Sequence, residues 1–210
     1  TGRKTGRFWK DGRLLSPGKK LPGDRVYHGM RTWDPAHSKV AALCHIHGEP
    51  PVKDACILYL GAAAGSTVSF LSDYAEVVYA VEFSPRPARD LIRLAHQRSN
   101  VIPIFEDARY PERYLPLVEM VDVLIQDIAQ RDQADIAIRN LTFLKPGGHL
   151  ILFLKLLSMG IEKKREELTA EVLMQIKTAG IIDVKVINLD KYHSGHVALW
   201  GTQSVQKNDA

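Results

Sequence analysis

Three acidic residues sit at matching places in the chain. "VYAVEFS" carries Glu82 near its end, "VIPIFED" ends on Asp107, and "VDVLIQD" ends on Asp127. Each follows a short apolar run of the kind that forms a buried parallel strand. In an open parallel sheet, ligands lie beyond the carboxyl ends of the strands, where strand order reverses. Carboxylates are costly to bury there unless hydrogen-bonded. A single Asp in such a position is more often a helix cap, but three in register beside a small-residue loop favour an adenosine ligand. A carboxylate after the second strand can accept both ribose hydroxyls, and a Glu at 82 argues against a 2′-phosphate. Asp107 is placed to receive the adenine amino group, and Asp127 to face a charged tail.

The loop beside them is "LGAAAGST". Small residues let a ligand, or another stretch of backbone, approach the main chain. Gly61 and Gly65 are four residues apart. The G-x-G-x-x-G pattern of dinucleotide binders is absent, and no Gly-Lys-Ser/Thr follows as in a P-loop. The loop therefore favours no cofactor by itself. Taken with the three carboxylates it points to an adenosine cofactor without pyrophosphate. S-adenosylmethionine fits, with Gly61 and Ala63 expected among its contacts.

The elements that must hold these groups are legible from residue 54 onward. "ACILYLG", "EVVYAVEFS", "VIPIFED", "VDVLIQD" and "HLILFLKLL" read as five strands. Between them, "STVSFLSDY", "PRPARDLIRLAHQRS", "PERYLPLVE" and "QADIAIRNLTFL" read as helical pieces, the second with apolar positions at Leu91, Ile92, Leu94 and Ala95. "KPGG" reads as a turn. "EKKREELTAEVLMQIKTAG" reads as a long amphipathic helix stopped at Gly180. "DVKVINLD" and "HVALWGTQ" close the chain as two strands. The expectation is a mostly parallel, doubly wound α/β sheet with an antiparallel hairpin at its end. Residues 1–35 read as short antiparallel strands between "SPG" and "LPGD" turns. A helix then starts at "DPAHSKVAALCHI", with Asp34 placed to cap it and Pro35 in its first turn. The expected division is a small β-rich region with a linking helix, 1–53, and a main domain, 54–210.

Composition agrees with a globular protein: 45% hydrophobic and 25% charged residues in a chain of 210. No apolar run reaches the roughly 18 residues of a membrane helix, so no membrane association is expected. The opening "TGRKTGRFWKDGR" lacks the apolar core of a secretory signal. Cys44 and Cys56 make no disulfide framework and are expected as reduced thiols of an intracellular protein. "CHIHG" has no partner cluster with zinc-like spacing, so no metal is expected. Residues 1–53 carry 11 Lys+Arg against 4 Asp+Glu, a net of +7, while the remainder is mildly acidic. That asymmetry suggests a polyanionic partner on one side.

"LGAAAGSTVSFLSD", "VYAVEFSPR", "NVIPIFEDARYPERY", "VDVLIQDIAQ" and "LKPGG" together resemble the fibrillarin family. "RTWDPAHSKVAAL" and "YHSGHVALWG" are similar to its flanking segments, so the likeness spans about residues 8–201. The resemblance implies a Rossmann-like class I methyltransferase fold. Its sheet would be mostly parallel and seven-stranded, with an antiparallel last strand and a β-rich N-terminal extension. It implies S-adenosylmethionine-dependent 2′-O-methylation of ribose in rRNA, or in tRNA. Its catalytic residues fall on Lys39, Asp127, Lys155 and His196. Its cofactor contacts fall on Ser66, Thr67, Glu82, Phe83, Asp107, Ala108, Asp127, Ile128, Ala129 and Gln130. The implied partners are a box C/D guide RNA, a Nop-domain scaffold protein and a kink-turn-binding protein. The implied location is cytoplasmic, as for archaeal members, or nucleolar in a eukaryote. Three departures stand out. "KLLSMGI" replaces the family's "KARSID", His37 stands for Arg, and Gly195 replaces the Asp that precedes the family's histidine.

Methyl transfer from a sulfonium to a hydroxyl is an in-line displacement in which the sulfur leaves neutral. The difficulty is the weakly acidic 2′-hydroxyl, which must be oriented and relieved of its proton. Positioning supplies at best about 7–11 kcal/mol, and a placed proton acceptor roughly 10²- to 10⁴-fold. A lysine deprived of its proton by neighbouring charge and desolvation can serve as base. Lys155 is expected in that role, with Asp127 positioning Lys155 and the methionine amine. Lys39 and His196 would fix the hydroxyl or a nearby phosphate. Two other readings stay open: a non-guided small-molecule or tRNA methyltransferase, and a non-catalytic adenosine-binding module of a complex. No RNP1-like stretch, zinc knuckle or aromatic stacking array is present to choose a nucleotide.

Overall fold

Residues 9–156 and 165–205 are described by the structure, a computed structural model. The basic N-terminal segment forms four short strands: β1 (Trp9–Lys10), β2 (Arg13–Ser16), β3 (Val26–Tyr27) and β4 (Met30–Thr32). They pair antiparallel in the order β1-β2-β4-β3. Helix α1 (Lys39–Ile46) follows. It begins four residues later than an Asp34 cap would place it. Asp34 Oδ1 accepts the Ala36 N–H at 2.9 Å, a local turn that competes with helix, and the Ser38 hydroxyl accepts from Ala41 N–H instead.

The second sheet holds β5 (Cys56–Leu60), β6 (Val77–Val81), β7 (Val101–Ile104), β8 (Val121–Gln126), β9 (Leu144–Lys155), β10 (Ile181–Asn188) and β11 (His196–Gln203). Their spatial order is β10-β11-β9-β8-β5-β6-β7, with β11 antiparallel to both its neighbours and β5 to β9 mutually parallel. Strand order reverses between β5 and β8. Helices α2 (Ser66–Leu71), α3 (Pro85–Ala95), α4 (Gln133–Asn140) and α5 (Arg165–Thr178) alternate with strands β5 to β10 except between β7 and β8, where the expected helical piece "PERYLPLVE" forms two 3₁₀ turns, Pro111–Arg113 and Leu115–Leu117. The long helix expected over 162–180 is described from Arg165; its first residues lie outside the described ones, as does most of "KLLSMGI". The expected "KPGG" turn is strand instead. β9 runs through it, and the slack appears as a register irregularity against β8 between Val121 and Val123.

Strand periodicity splits the core into two apolar clusters, one on each face. Ile57 and Tyr59 of β5 face the cluster shared with α1, α2 and α3, while Leu58 and Leu60 face the one shared with α4 and α5. On α3 the buried face is Ala88, Leu91 and Leu94; Ile92, expected on it, is exposed because it lies off that stripe. No helix of the described residues is long and apolar enough to cross a membrane.

A buried guanidinium fastens the small sheet to the large one. The side chains of Arg31, on β4, and of Asp73, after α2, are each 1% exposed. Arg31 Nη1 donates to Asp73 Oδ2 at 2.7 Å and to the Ser69 carbonyl at 2.8 Å. Nη2 donates to Ser69 Oγ at 2.7 Å and Nε to Asp24 Oδ2 at 2.6 Å. The planar fork matches these four acceptors in a way an ammonium could not. Removing one member of a buried pair costs about 3–5 kcal/mol when the other charge is left unpaired. Asp73 keeps Arg98, whose Nη1 lies 3.1 Å from its Oδ1, so Arg31→Ala is expected to destabilise the fold by about 3 kcal/mol, the lower end of that range, read by denaturant unfolding. Asp24→Asn, at a more exposed partner, is expected to cost less.

Candidate active site

The site is built where β5, β6, β7 and β8 end side by side. The chain leaves β5 at Gly61, whose N–H and that of Ala62 both donate to the Val81 carbonyl at 3.0 Å. Gly61 has φ +80°, and a Cβ there would meet the Asp127 carbonyl oxygen at 2.5 Å. Gly65, with φ +86°, would drive a Cβ into Leu94 of α3 at 2.5 Å. Both glycines thus answer to close packing within the chain. Ala63, between them, holds a positive φ of +47° without being glycine. Its N–H donates to Glu82 Oε2 at 2.9 Å.

Glu82, Asp107 and Asp127 all line one cleft of about 350 Å³ at this edge, and each carboxylate is already partnered. Glu82 Oε1 accepts the Ser84 N–H at 2.7 Å, so one side chain ties the glycine loop to the start of α3. Asp107 takes a bidentate pair from Arg109, with Nη2 at 2.6 Å, and accepts the Arg109 N–H. These bonds hold its carboxyl below the usual carboxylate range, the Arg109 side chain contributing most. Asp127 receives Lys39 Nζ at 2.7 and 3.0 Å. A carboxylate offers about four lone-pair sites, so capacity for a ligand remains. The partner of Asp127 differs from the Lys155 expected for it. Ser38 caps α1 at a point that brings Lys39, the first helical residue, over the end of β8.

Lys155 and His196 are directly opposed across β9 and β11. Ile151 and Phe153 of β9, and Ala198 of β11, belong to the cluster beneath α1. By strand parity Lys155 and His196 continue that face, the one over which α1 delivers Lys39. The His196 ring is oriented without a preceding Asp. Its Nδ1 lies 2.9 Å from the Ser194 carbonyl. A carbonyl only accepts, so Nδ1 carries the proton and Nε2 keeps a lone pair in the neutral ring. Asp190 Oδ1 accepts the Gly195 N–H at 2.6 Å and so fixes the turn into His196. Burial and the charge of Lys39 hold the His196 ring below its ordinary value, against the pull of Ser194 and Asp127.

Ten of the expected cofactor contacts line the cleft: Gly61, Ala63, Glu82, Phe83, Asp107, Ala108, Asp127, Ile128, Ala129 and Gln130. Ser66 and Thr67 do not. Ser66 opens α2 on the outer side, and Thr67 Oγ1 donates to Ser38 Oγ at 3.0 Å beneath Lys39. Val81, Ser84, Glu106 and Ile136 also line the cleft and were not singled out by sequence. Ser84 and Glu106 lie within two residues of a singled-out carboxylate, which is the signal that could have found them. Ile136 arrives from α4 and carries no local signal. Arg109 could have been suspected from "EDAR", where its i+2 spacing allows the clamp on Asp107.

The strand order, with a cleft at the reversal point and acidic strand ends around it, defines a Rossmann-like class I methyltransferase fold. The fibrillarin family model matches residues 12–205, and the chain belongs to that family. It is 76% identical over 201 residues to the fibrillarin-like rRNA/tRNA 2′-O-methyltransferase of Methanospirillum hungatei, covering 96% of this chain and 98% of that protein. Two solved structures are similar in fold. A fibrillarin/Nop5p complex aligns with TM-score 0.84 at 35% identity, covering 92% of this chain and 95% of that one. Aeropyrum pernix fibrillarin with natively bound S-adenosyl-L-methionine aligns with TM-score 0.78 at 36% identity, covering 92% and 91%.

Two outcomes follow from the geometry. Gly61→Ala is expected to destabilise by about 1–3 kcal/mol, measured by thermal unfolding. Gly147→Ala has a similar φ of +78° but open surroundings and is expected to cost less. In an NMR titration the His196 ring is expected to change charge below pH 6.5, and Lys39→Met to raise that midpoint by removing a nearby cation. Because the folded value is depressed, unfolded chains bind this proton first. The stability contributed by neutral His196, and by His149 whose burial acts the same way, is present above pH 6.5 and lost as pH falls below it.

Proposed function

We propose that the chain transfers the methyl group of S-adenosylmethionine to a ribose 2′-hydroxyl of rRNA or tRNA. The observation that carries this reading is the Lys39–Asp127 pair at the rim of the acidic cleft, with Lys155 and His196 opposed on the same face of the sheet. The residues present suit the cofactor. Glu82 and Asp107 offer acceptors for ribose hydroxyls and an adenine amine, Phe83 an exposed ring beside them, and Asp127 a negative charge for the methionine amine. When bound, the cofactor supplies an electrophilic methyl and a neutral leaving sulfur.

The chain's own residues handle the hydroxyl. Lys39, held by Asp127, donates toward oxygen and stabilises developing negative charge. Lys155, in its neutral amine form, takes the 2′-hydroxyl proton at the exposed end of β9. The free Nε2 of His196 supports a second reading, in which the imidazole is the acceptor and Lys155 orients the ribose. Balance is the same in both: the oxygen–methyl bond forms, the methyl–sulfur bond breaks, and the proton stays on the protein base.

Target choice is delegated. A basic N-terminal quarter can hold phosphates but does not choose a nucleotide. A box C/D guide RNA would supply pairing, and a Nop-domain protein and a kink-turn-binding protein would seat it. A relative solved with Nop5p supports the Nop-domain partner.

Methyl transfer from labelled cofactor to a target RNA, with and without guide RNA and partner proteins, tests this reading. Transfer is expected to depend on the guide. At saturating cofactor, Lys155→Ala and Asp127→Ala are each expected to lower kcat by about 10²- to 10⁴-fold. A Lys155→Ala protein at the parental rate, with His196→Ala inactive, would assign the base to His196. Guide-independent methylation of a small molecule would sink the RNA reading altogether.

A further inference from the structure

β8 stops at Gln126, while β9 continues to Lys155. Gln126 pairs with Leu152, so Lys155 lies three residues beyond the last β8 partner. On the other side β9 is still laddered to β11: His196 opposes Lys155, and the Leu156 N–H donates to the Gly195 carbonyl at 3.1 Å. Successive main-chain N–H groups of a strand point to opposite sides. The Lys155 N–H therefore faces the place that β8 has left.

The side chain of Gln133 occupies that place. Gln133 is the first residue of α4 and fully buried, and its Oε1 accepts the Lys155 N–H at 3.1 Å. Gln126, also fully buried, braces it: Gln126 Nε2 donates to the Gln133 main-chain carbonyl at 2.6 Å. Both amide orientations are dictated by their partners, since an N–H can only donate and a carbonyl only accept. The second amide atom of each, Gln126 Oε1 and Gln133 Nε2, is buried with no hydrogen-bond partner among the described residues. An aliphatic side chain of similar size would avoid that penalty. Packing alone therefore does not account for a glutamine at either position.

We infer that Gln133 is a positioning residue for Lys155: its amide oxygen continues the sheet ladder past the end of β8 and fixes the Lys155 main chain opposite His196, with Gln126 as its brace. The inference rests on the role proposed above for Lys155, whether as base or as the group that orients the ribose.

The test uses the full chain, with guide RNA and partners for turnover, and reads amide hydrogen exchange separately. Gln133→Met keeps the length and removes the acceptor; Gln133→Glu keeps an acceptor oxygen at that point. In Gln133→Met the Lys155 amide is expected to exchange at least about tenfold faster, with Phe153 and Leu124 unchanged. Its kcat is expected to fall about tenfold or more at saturating cofactor, with cofactor affinity within about twofold of the parent. Gln133→Glu is expected to restore Lys155 protection and part of kcat. Parental exchange at Lys155 in Gln133→Met overturns the inference directly. So does a general loss of protection along β8 and β9, which would make Gln133 merely structural. Faster exchange with parental kcat overturns it through its premise, which Lys155→Ala tests independently.

Discussion

The site depends on where β8 stops. Parallel strands that end together leave main-chain groups with no further ladder partner, and buried ones must find substitutes. At the end of β8 the Asp127 N–H still reaches the Leu60 carbonyl at 2.9 Å, but the Asp127 carbonyl turns against Gly61 and its side chain swings out to Lys39. One residue thereby closes the sheet, floors the glycine loop and carries the charge that receives the lysine.

The acidic rim works under the same rule. Glu82 and Asp107 are not spare charges waiting for a ligand. Each organises its own loop, through the Ala63 and Ser84 N–H groups in one case and Arg109 in the other. The loops are preorganised by the same oxygens that a nucleoside would approach, so ordering them costs the ligand little. Ala63 holds its positive φ because Glu82 accepts its N–H, and strain of that kind persists where the surroundings over-determine it.

The small N-terminal sheet contributes through what it anchors. Arg31 locks it to α2 through Ser69 and Asp73. Leu14 and Trp33 join the apolar cluster that receives Val40, Ala41 and Leu43 of α1. The helix start is then placed by Ser38, which accepts from Ala41 and from Thr67 Oγ1. Lys39 reaches Asp127 because of this chain of contacts, across 88 residues of sequence. His193 Nε2 adds a tie from the turn before His196 to the Pro35 carbonyl, 2.9 Å away in the turn before α1.

By itself the sequence determined the seven strands of the main sheet and the carboxylates at three strand ends. Both are written in local pattern: unbroken apolar runs such as "CILYL" must be buried on two faces, and an acidic residue after one must lie at an edge. The same local logic misplaced the start of α1, because Asp34 and Ser38 are both good caps and only the packing of α1 selects between them. It read "KPGG" as a turn, because a strand that absorbs its glycines in a register irregularity has no distinguishing pattern. Resemblance singled out Lys39, Lys155 and His196, yet neither it nor pattern revealed that Lys39 and not Lys155 would take Asp127. Tertiary structure alone decided that pairing, the place of Gln133 and the proton on His196 Nδ1. The first two are contacts between elements distant in sequence, and the third is a local contact with Ser194 whose geometry is set by the turn into β11. Those follow from three-dimensional register, to which a one-dimensional pattern is blind.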